Sequence, residues 1–169
     1  MSEFVPERII AVLAKHQVEY VMIGGLAAAI HGSDLVTTDV DITPSLGHDN
    51  VTRLSDALVE LRARIRSADE PEGLPFAHDG ESLARAGTWN LVTDAGDLDI
   101  SFVPSGTRGF PDLRRNAVAI ELLGSTISVA SLPDIIRSKQ AAGRPKDIAA
   151  LPILRRLLDE IERRDRQGD

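Results

Sequence analysis

Cysteine is absent from the 169 residues, so neither disulfides nor thiolate metal ligands contribute, and a reducing compartment is compatible. The four histidines show no His-x-x-x-His spacing, so the chain lacks the pattern of a histidine zinc site. Long apolar runs are missing too: the longest, around Leu26 to Ile30, falls far short of a membrane span. The N-terminal MSEFVPERII carries acids where a secretory leader has bases. Neither Gly-x-Ser-x-Gly nor a P-loop occurs, which sets aside serine hydrolases and Walker-type NTPases. Aromatics are scarce, and the single tryptophan, Trp89, lies in a β-like run where core packing is its ordinary role. These absences predict a cytoplasmic protein with no membrane association.

What is present fits one domain over 1–169, with a core over about 18–130 and a helical part over about 131–165. The net charge of -7 argues against general nucleic-acid binding by the whole surface. That charge is uneven. From Arg137 onward nine Lys/Arg face six acids, whereas ten basic residues face twenty acids before it. A locally positive C-terminal segment beside an acidic body suits a phosphate-bearing ligand held against a metal site. A solvated helix face is the ordinary account of most of the terminal arginines.

Periodicity predicts a helix over 6–17, a short strand over 20–23 ending at Gly24-Gly25, and an alanine-rich helix over 26–31 stopped by Gly32. A strand over 39–43 alternates acids with Val40 and Ile42, and an amphipathic helix covers 49–62. Residues 69–80, rich in Pro, Gly and acids, read as loop. Two hairpins are expected, 88–103 turning at Asp94-Ala95-Gly96 and 117–130 turning at Gly124-Ser125. Ser131 caps a helix to about Ala142, and Pro145 opens a last helix that Pro152 kinks or divides. The order of elements is that of an α/β or α+β sandwich.

The chemistry concentrates in Tyr20–Pro44. A strand delivers the chain to Gly24-Gly25, where a helix begins; glycine lets backbone N–H groups approach a phosphate, and a helix N-terminus is electropositive. Farther on, Asp39 and Asp41 project from one face of a strand, a natural seat for Mg²⁺ or Mn²⁺. A third acid comes from Gly96-Asp97-Leu98-Asp99-Ile100. Asp99, flanked by Leu98 and Ile100, is the choice over Asp97, which lies nearer the turn.

The ordered set of Gly-Gly, D-x-D, G-x-L-D and the segment Lys139-Gln140-Ala141-Ala142-Gly143-Arg144-Pro145-Lys146-Asp147 resembles the DNA polymerase β superfamily of nucleotidyltransferases. Within it, the C-terminal part is similar to the AbiEii-like (MenT-like) toxins. The resemblance runs from about Val18 to Leu154. It implies a mixed twisted sheet flanked by helices, with C-terminal helices completing the site. It also implies metal binding by Asp39, Asp41 and Asp99, catalysis by these acids with Lys139, and nucleotide contacts from Gly24, Gly25, Thr37, Lys139, Lys146 and Asp147. The activity implied is Mg²⁺-dependent transfer of NMP from an NTP to an acceptor hydroxyl. The acceptor implied by the toxin likeness is tRNA or another RNA, with a small cognate antitoxin as partner. One departure stands out: relatives often carry an arginine where this chain has Leu35-Val36. That departure keeps open a degenerate nucleotide- or partner-binding module. A small-molecule transferase resembling the aminoglycoside-modifying enzymes is a further alternative.

Overall fold

The computed structural model describes residues 3–168; Met1, Ser2 and Asp169, the last counted above among the terminal acids, lie outside the described residues. Helix α1 (Pro6–Lys15) starts on a proline suited to a first turn and buries Ile9, Ile10, Val12 and Leu13. Strand β1 (Tyr20–Ile23) passes without a linker into α2 (Gly24–Ile30). There follow β2 (Asp39–Pro44), α3 (His48–Glu60), a two-residue strand β3 (Arg64–Ile65) and α4 (Gly80–Ala86). The hairpin β4 (Thr88–Thr93) and β5 (Gly96–Ser101) precedes α5 (Phe110–Arg115). A second hairpin, β6 (Val118–Leu122) and β7 (Ser125–Val129), leads to α6 (Leu132–Ala142) and α7 (Pro145–Arg166).

All seven strands form one mixed sheet in the order β3-β4-β5-β2-β1-β7-β6. The architecture is the α/β sandwich expected, with the acid-bearing strands at its centre. Strand β2 runs antiparallel to β1 and parallel to β5. The β2/β5 register sets Asp39 level with Asp97 and Asp41 level with Asp99. On the opposite face of those strands, Val40, Ile42, Leu98 and Ile100 are fully buried. Burial of one such side chain contributes roughly 1.5–3 kcal/mol, so the apolar face of each strand fixes which way its acids point.

Four details differ from the sequence expectation. Strand β3 and helix α5 fall in stretches without a strong periodic signal, and α4 begins at Gly80, where the loop was expected to end. Helix α4 is held by a local capping box: Asp79 accepts from the Ser82 backbone N–H at 2.8 Å, and the Ser82 hydroxyl accepts from the Asp79 N–H at 3.0 Å. Pro152 does not divide the last helix, which is continuous over 22 residues. Pro152 and Ile148 are both exposed, so the missing proline N–H falls on the solvent side of the helix. Along α7, Leu151 and Leu154 carry the burial, whereas Ile148 and Ile153 are exposed.

Trp89 packs as anticipated, stacking on Phe76 at 5.2 Å between ring centroids and donating its indole N–H to the Leu83 carbonyl. Among the described residues no helix is long and apolar enough to cross a membrane.

Candidate active site

Asp39, Asp41 and Asp99 each offer a carboxylate oxygen, and these atoms lie within 4.8 Å of one another. Two come from alternate positions of β2 and the third from the level position of its parallel neighbour β5. The pleat turns all three to one face. Asp97 shares that face, but among the described residues the converging group comprises residues 39, 41 and 99. The donors are all carboxylate oxygens, the set preferred by a hard divalent cation such as Mg²⁺.

The diglycine turn lies directly against this group. Gly24 has a φ of +72°, and a Cβ there would overlap Asp41 Oδ2 and stand 2.7 Å from Asp41 Cγ. A Cβ on Gly25 would meet Thr37 Oγ1 at 2.9 Å. Both positions therefore need glycine because a site side chain occupies the space. Thr37, in turn, donates its hydroxyl to the Asp39 carbonyl at 3.1 Å, tying the approach loop to the start of β2.

The acids share little counter-charge. Burial, then Asp39 and Asp99, push the Asp41 carboxyl up to about 8, with Lys139 pulling the other way. Burial lifts Asp99 to about 6; Arg66 opposes that rise, and Asp39 adds to it. Arg66 follows β3, and its Nη2 donates to Asp99 Oδ1 at 2.9 Å while its Nε stands 3.3 Å from Asp97 Oδ2. Sequence reasoning missed it. The only available signal was a lone arginine after an edge strand too short to recognise.

The second charged group belongs to α6 and α7. Asp147 is 0% exposed, yet Arg144 and Lys139 hold it ionised. Arg144 Nε donates to its Oδ2 at 2.7 Å, and Lys139 Nζ lies 3.6 Å from its Oδ1. Burial works to raise the Asp147 carboxyl, but the hydrogen bond and charge of Arg144, aided by Lys139, bring it below the usual range. Asp147 thus reaches the site through the two cations it holds. Arg144, part of the recognised segment but not singled out in it, is a second cation that the sequence reading overlooked.

A cleft of about 750 Å³ joins the groups. Gly24, Gly25, Thr37, the three acids, Lys139, Arg144, Lys146 and Asp147 all line it. Every sequence-predicted site residue therefore borders one cavity. Its wall beyond Asp99 is uncharged, formed by Thr88, Asn90 and Ser101 on β4 and β5.

No protein-family signature matches the chain, and no curated protein matches it. Solved structures do. The lincomycin-bound lincosamide antibiotic adenylyltransferase LnuA is 13% identical, with a TM-score of 0.60 over 93% of this chain and 99% of that one. ANT(2'')-Ia in complex with adenylyl-2''-tobramycin is 15% identical, with a TM-score of 0.54 over 91% and 88%. The solution structure of the antibiotic-resistance factor ANT(2'')-Ia is 14% identical, with a TM-score of 0.53 over 96% and 91%. At these identities the likeness is one of fold: the chain has the architecture of these antibiotic-modifying proteins, over most of its length and theirs.

Proposed function

We propose that the protein is a Mg²⁺-dependent nucleotidyltransferase, moving NMP from an NTP to an acceptor hydroxyl with release of pyrophosphate. The observation that carries this reading is the convergence of Asp39, Asp41 and Asp99 against the Gly24 turn within one cleft. The acceptor oxygen bonds to the α-phosphorus, the bond from that phosphorus to the bridging oxygen breaks so that pyrophosphate leaves with that oxygen, and the hydroxyl proton passes to solvent water. Divalent cations, once bound there, would supply charge to the triphosphate and acidify the acceptor hydroxyl.

The chain's own residues supply the positioning. Asp39, Asp41 and Asp99 would hold the cations. Gly24 and Gly25 leave room for phosphate oxygens beside backbone N–H groups, and Thr37 borders the same space. Lys139, Arg144 and Lys146 bring positive charge to the triphosphate and to the leaving pyrophosphate, and Asp147 keeps Lys139 and Arg144 in place. These cations also bear on the missing arginine. Val36 is 92% exposed at the cleft and brings no charge, but the C-terminal helices contribute three cations to the same cavity. That favours an active enzyme over a degenerate binding module.

One acceptor class is RNA, with tRNA 3′ ends as precedent and a small antitoxin as partner; what supports it is the resemblance of the segment Lys139 to Asp147 to AbiEii-like toxins. A second reading, a small hydroxyl-bearing acceptor, is favoured by the uncharged wall of Thr88, Asn90 and Ser101, which offers no free cation to a polyanion.

One experiment tests both levels. Purified protein is incubated with labelled NTPs, Mg²⁺ and either total RNA or a protein-free metabolite extract. Label transferred with pyrophosphate release, and lost in Asp41→Ala, supports the enzyme. Label in the RNA fraction selects the first acceptor class and label in small molecules the second. Equal labelling by wild type and variant sinks the assignment.

A further inference from the structure

Arg66 carries a consequence for the choice of cation, and it rests on the metal-centre reading above. Its guanidinium is anchored on several sides. Nη2 donates to Asp99 Oδ1 at 2.9 Å and to the Leu91 carbonyl at 3.0 Å, and Nε faces Asp97 Oδ2 at 3.3 Å. The Arg66 backbone N–H donates to the Asn90 carbonyl at 2.9 Å, which fixes the base of the side chain against β4. With 33% of the side chain exposed, the head is held by the sheet and not free to swing. An arginine keeps its charge at any working pH and donates in a fixed plane.

The consequence falls on Asp99. One of its two oxygens is committed to a permanent cation, so a metal approaching that oxygen meets both a competing donor and a like charge. Asp39 and Asp41 have no ion-pair partner among the described residues. The third ligand of the group is therefore restrained in a way that the other two are not.

Divalent ions differ in how they respond to such a restraint. Mg²⁺ demands a small octahedral shell and takes carboxylates through one oxygen, whereas Ca²⁺ takes six to eight oxygens and often binds a carboxylate through both. We propose that Arg66 is a specificity-determining residue of the cation centre: by occupying one oxygen of Asp99 it denies two-oxygen ligation and selects Mg²⁺ over Ca²⁺.

The test is a binding measurement, independent of turnover. Mn²⁺ is titrated into wild type, Arg66→Lys and Arg66→Gln, followed by its electron paramagnetic resonance signal, and then displaced with Mg²⁺ or Ca²⁺. Arg66→Gln should raise the affinity for Ca²⁺ relative to Mg²⁺ by about tenfold. Arg66→Lys, which keeps a charge but loses the fork, should shift the ratio about threefold in the same direction. The lysine variant carries the test alone if the glutamine variant fails to fold.

A ratio unchanged in the folded variants, with both affinities rising or falling together, overturns the inference while leaving the cation centre intact. Failure of the wild-type protein to bind Mn²⁺ at all is a different result. It removes the metal-centre reading, and the inference falls with it.

Discussion

Two groups of charges face the same cleft and are built in opposite ways. At the centre of the sheet, Asp39, Asp41 and Asp99 crowd their oxygens together with one arginine, Arg66, bonded to the group. Between α6 and α7, one acid, Asp147, is enclosed by two cations, Lys139 and Arg144. The first group is under-compensated, and burial, with the charges of Asp39 and Asp99 added to it, drives Asp41 toward its protonated form. The second is balanced, and its acid is held ionised despite full burial. The contrast separates a site from a brace. Like charges brought together at a cost await a ligand that removes the cost, whereas a neutralised buried pair stabilises the join between two helices.

Several changes test that contrast. The largest effect is expected for Asp41→Asn, which keeps the shape and removes a ligand charge. Nucleotidyl transfer should fall by about 10³-fold, while the circular dichroism spectrum and melting temperature stay at or above wild type. A variant that melts far below wild type would mean that Asp41 braces the fold.

Next comes Gly24→Ala, which forces a side chain into a positive-φ position already occupied by the Asp41 carboxylate. A loss of about 2–3 kcal/mol in urea denaturation is expected. The loss should shrink when Asp41→Gly is made in the same chain, as a double-mutant cycle would report.

Asp147→Asn strips the brace of its charge and should cost about 2 kcal/mol. Its melting temperature should respond little to Mg²⁺, in contrast to changes at the acid group.

The last test concerns pH dependence. A carboxyl raised from 3.8 to about 8 on folding contributes stability that is present at low pH and lost as pH rises through 8. In EDTA, the melting temperature of the wild type should therefore fall between pH 6 and pH 8.5. Added Mg²⁺ should lessen the fall, because the cation offsets the repulsion between the ionised acids. Identical curves with and without Mg²⁺ would break the comparison.

Much of this was legible in the sequence where the signal was local. The strand-to-helix passage at Gly24, the alternation around Asp39 and Asp41, both hairpins and the capped start of α6 are each specified by neighbouring residues. Sheet order was not legible. Nothing near Asp99 states that β5 lies parallel to β2, or that residues 97 and 99 stand level with 39 and 41. Arg66 was missed for the same reason, because its importance lies in a contact 33 residues away in the chain. The enclosure of the Asp147 carboxylate by Arg144 and Lys139 was not legible either, because it depends on how α6 and α7 pack. Helix α5 and strand β3 are too short for periodicity to register.

The parallel pairing of β2 with β5 has a consequence for how the protein tolerates change. Spacing between the second and third acids is set by a backbone ladder, with no loop able to adjust it. A slip of a single residue would turn Val40 and Ile42 outward and bury the carboxylates. Substitutions in the apolar layer beneath, at the fully buried Leu98 or Ile100, therefore act on the ruler that measures the distance between the acids.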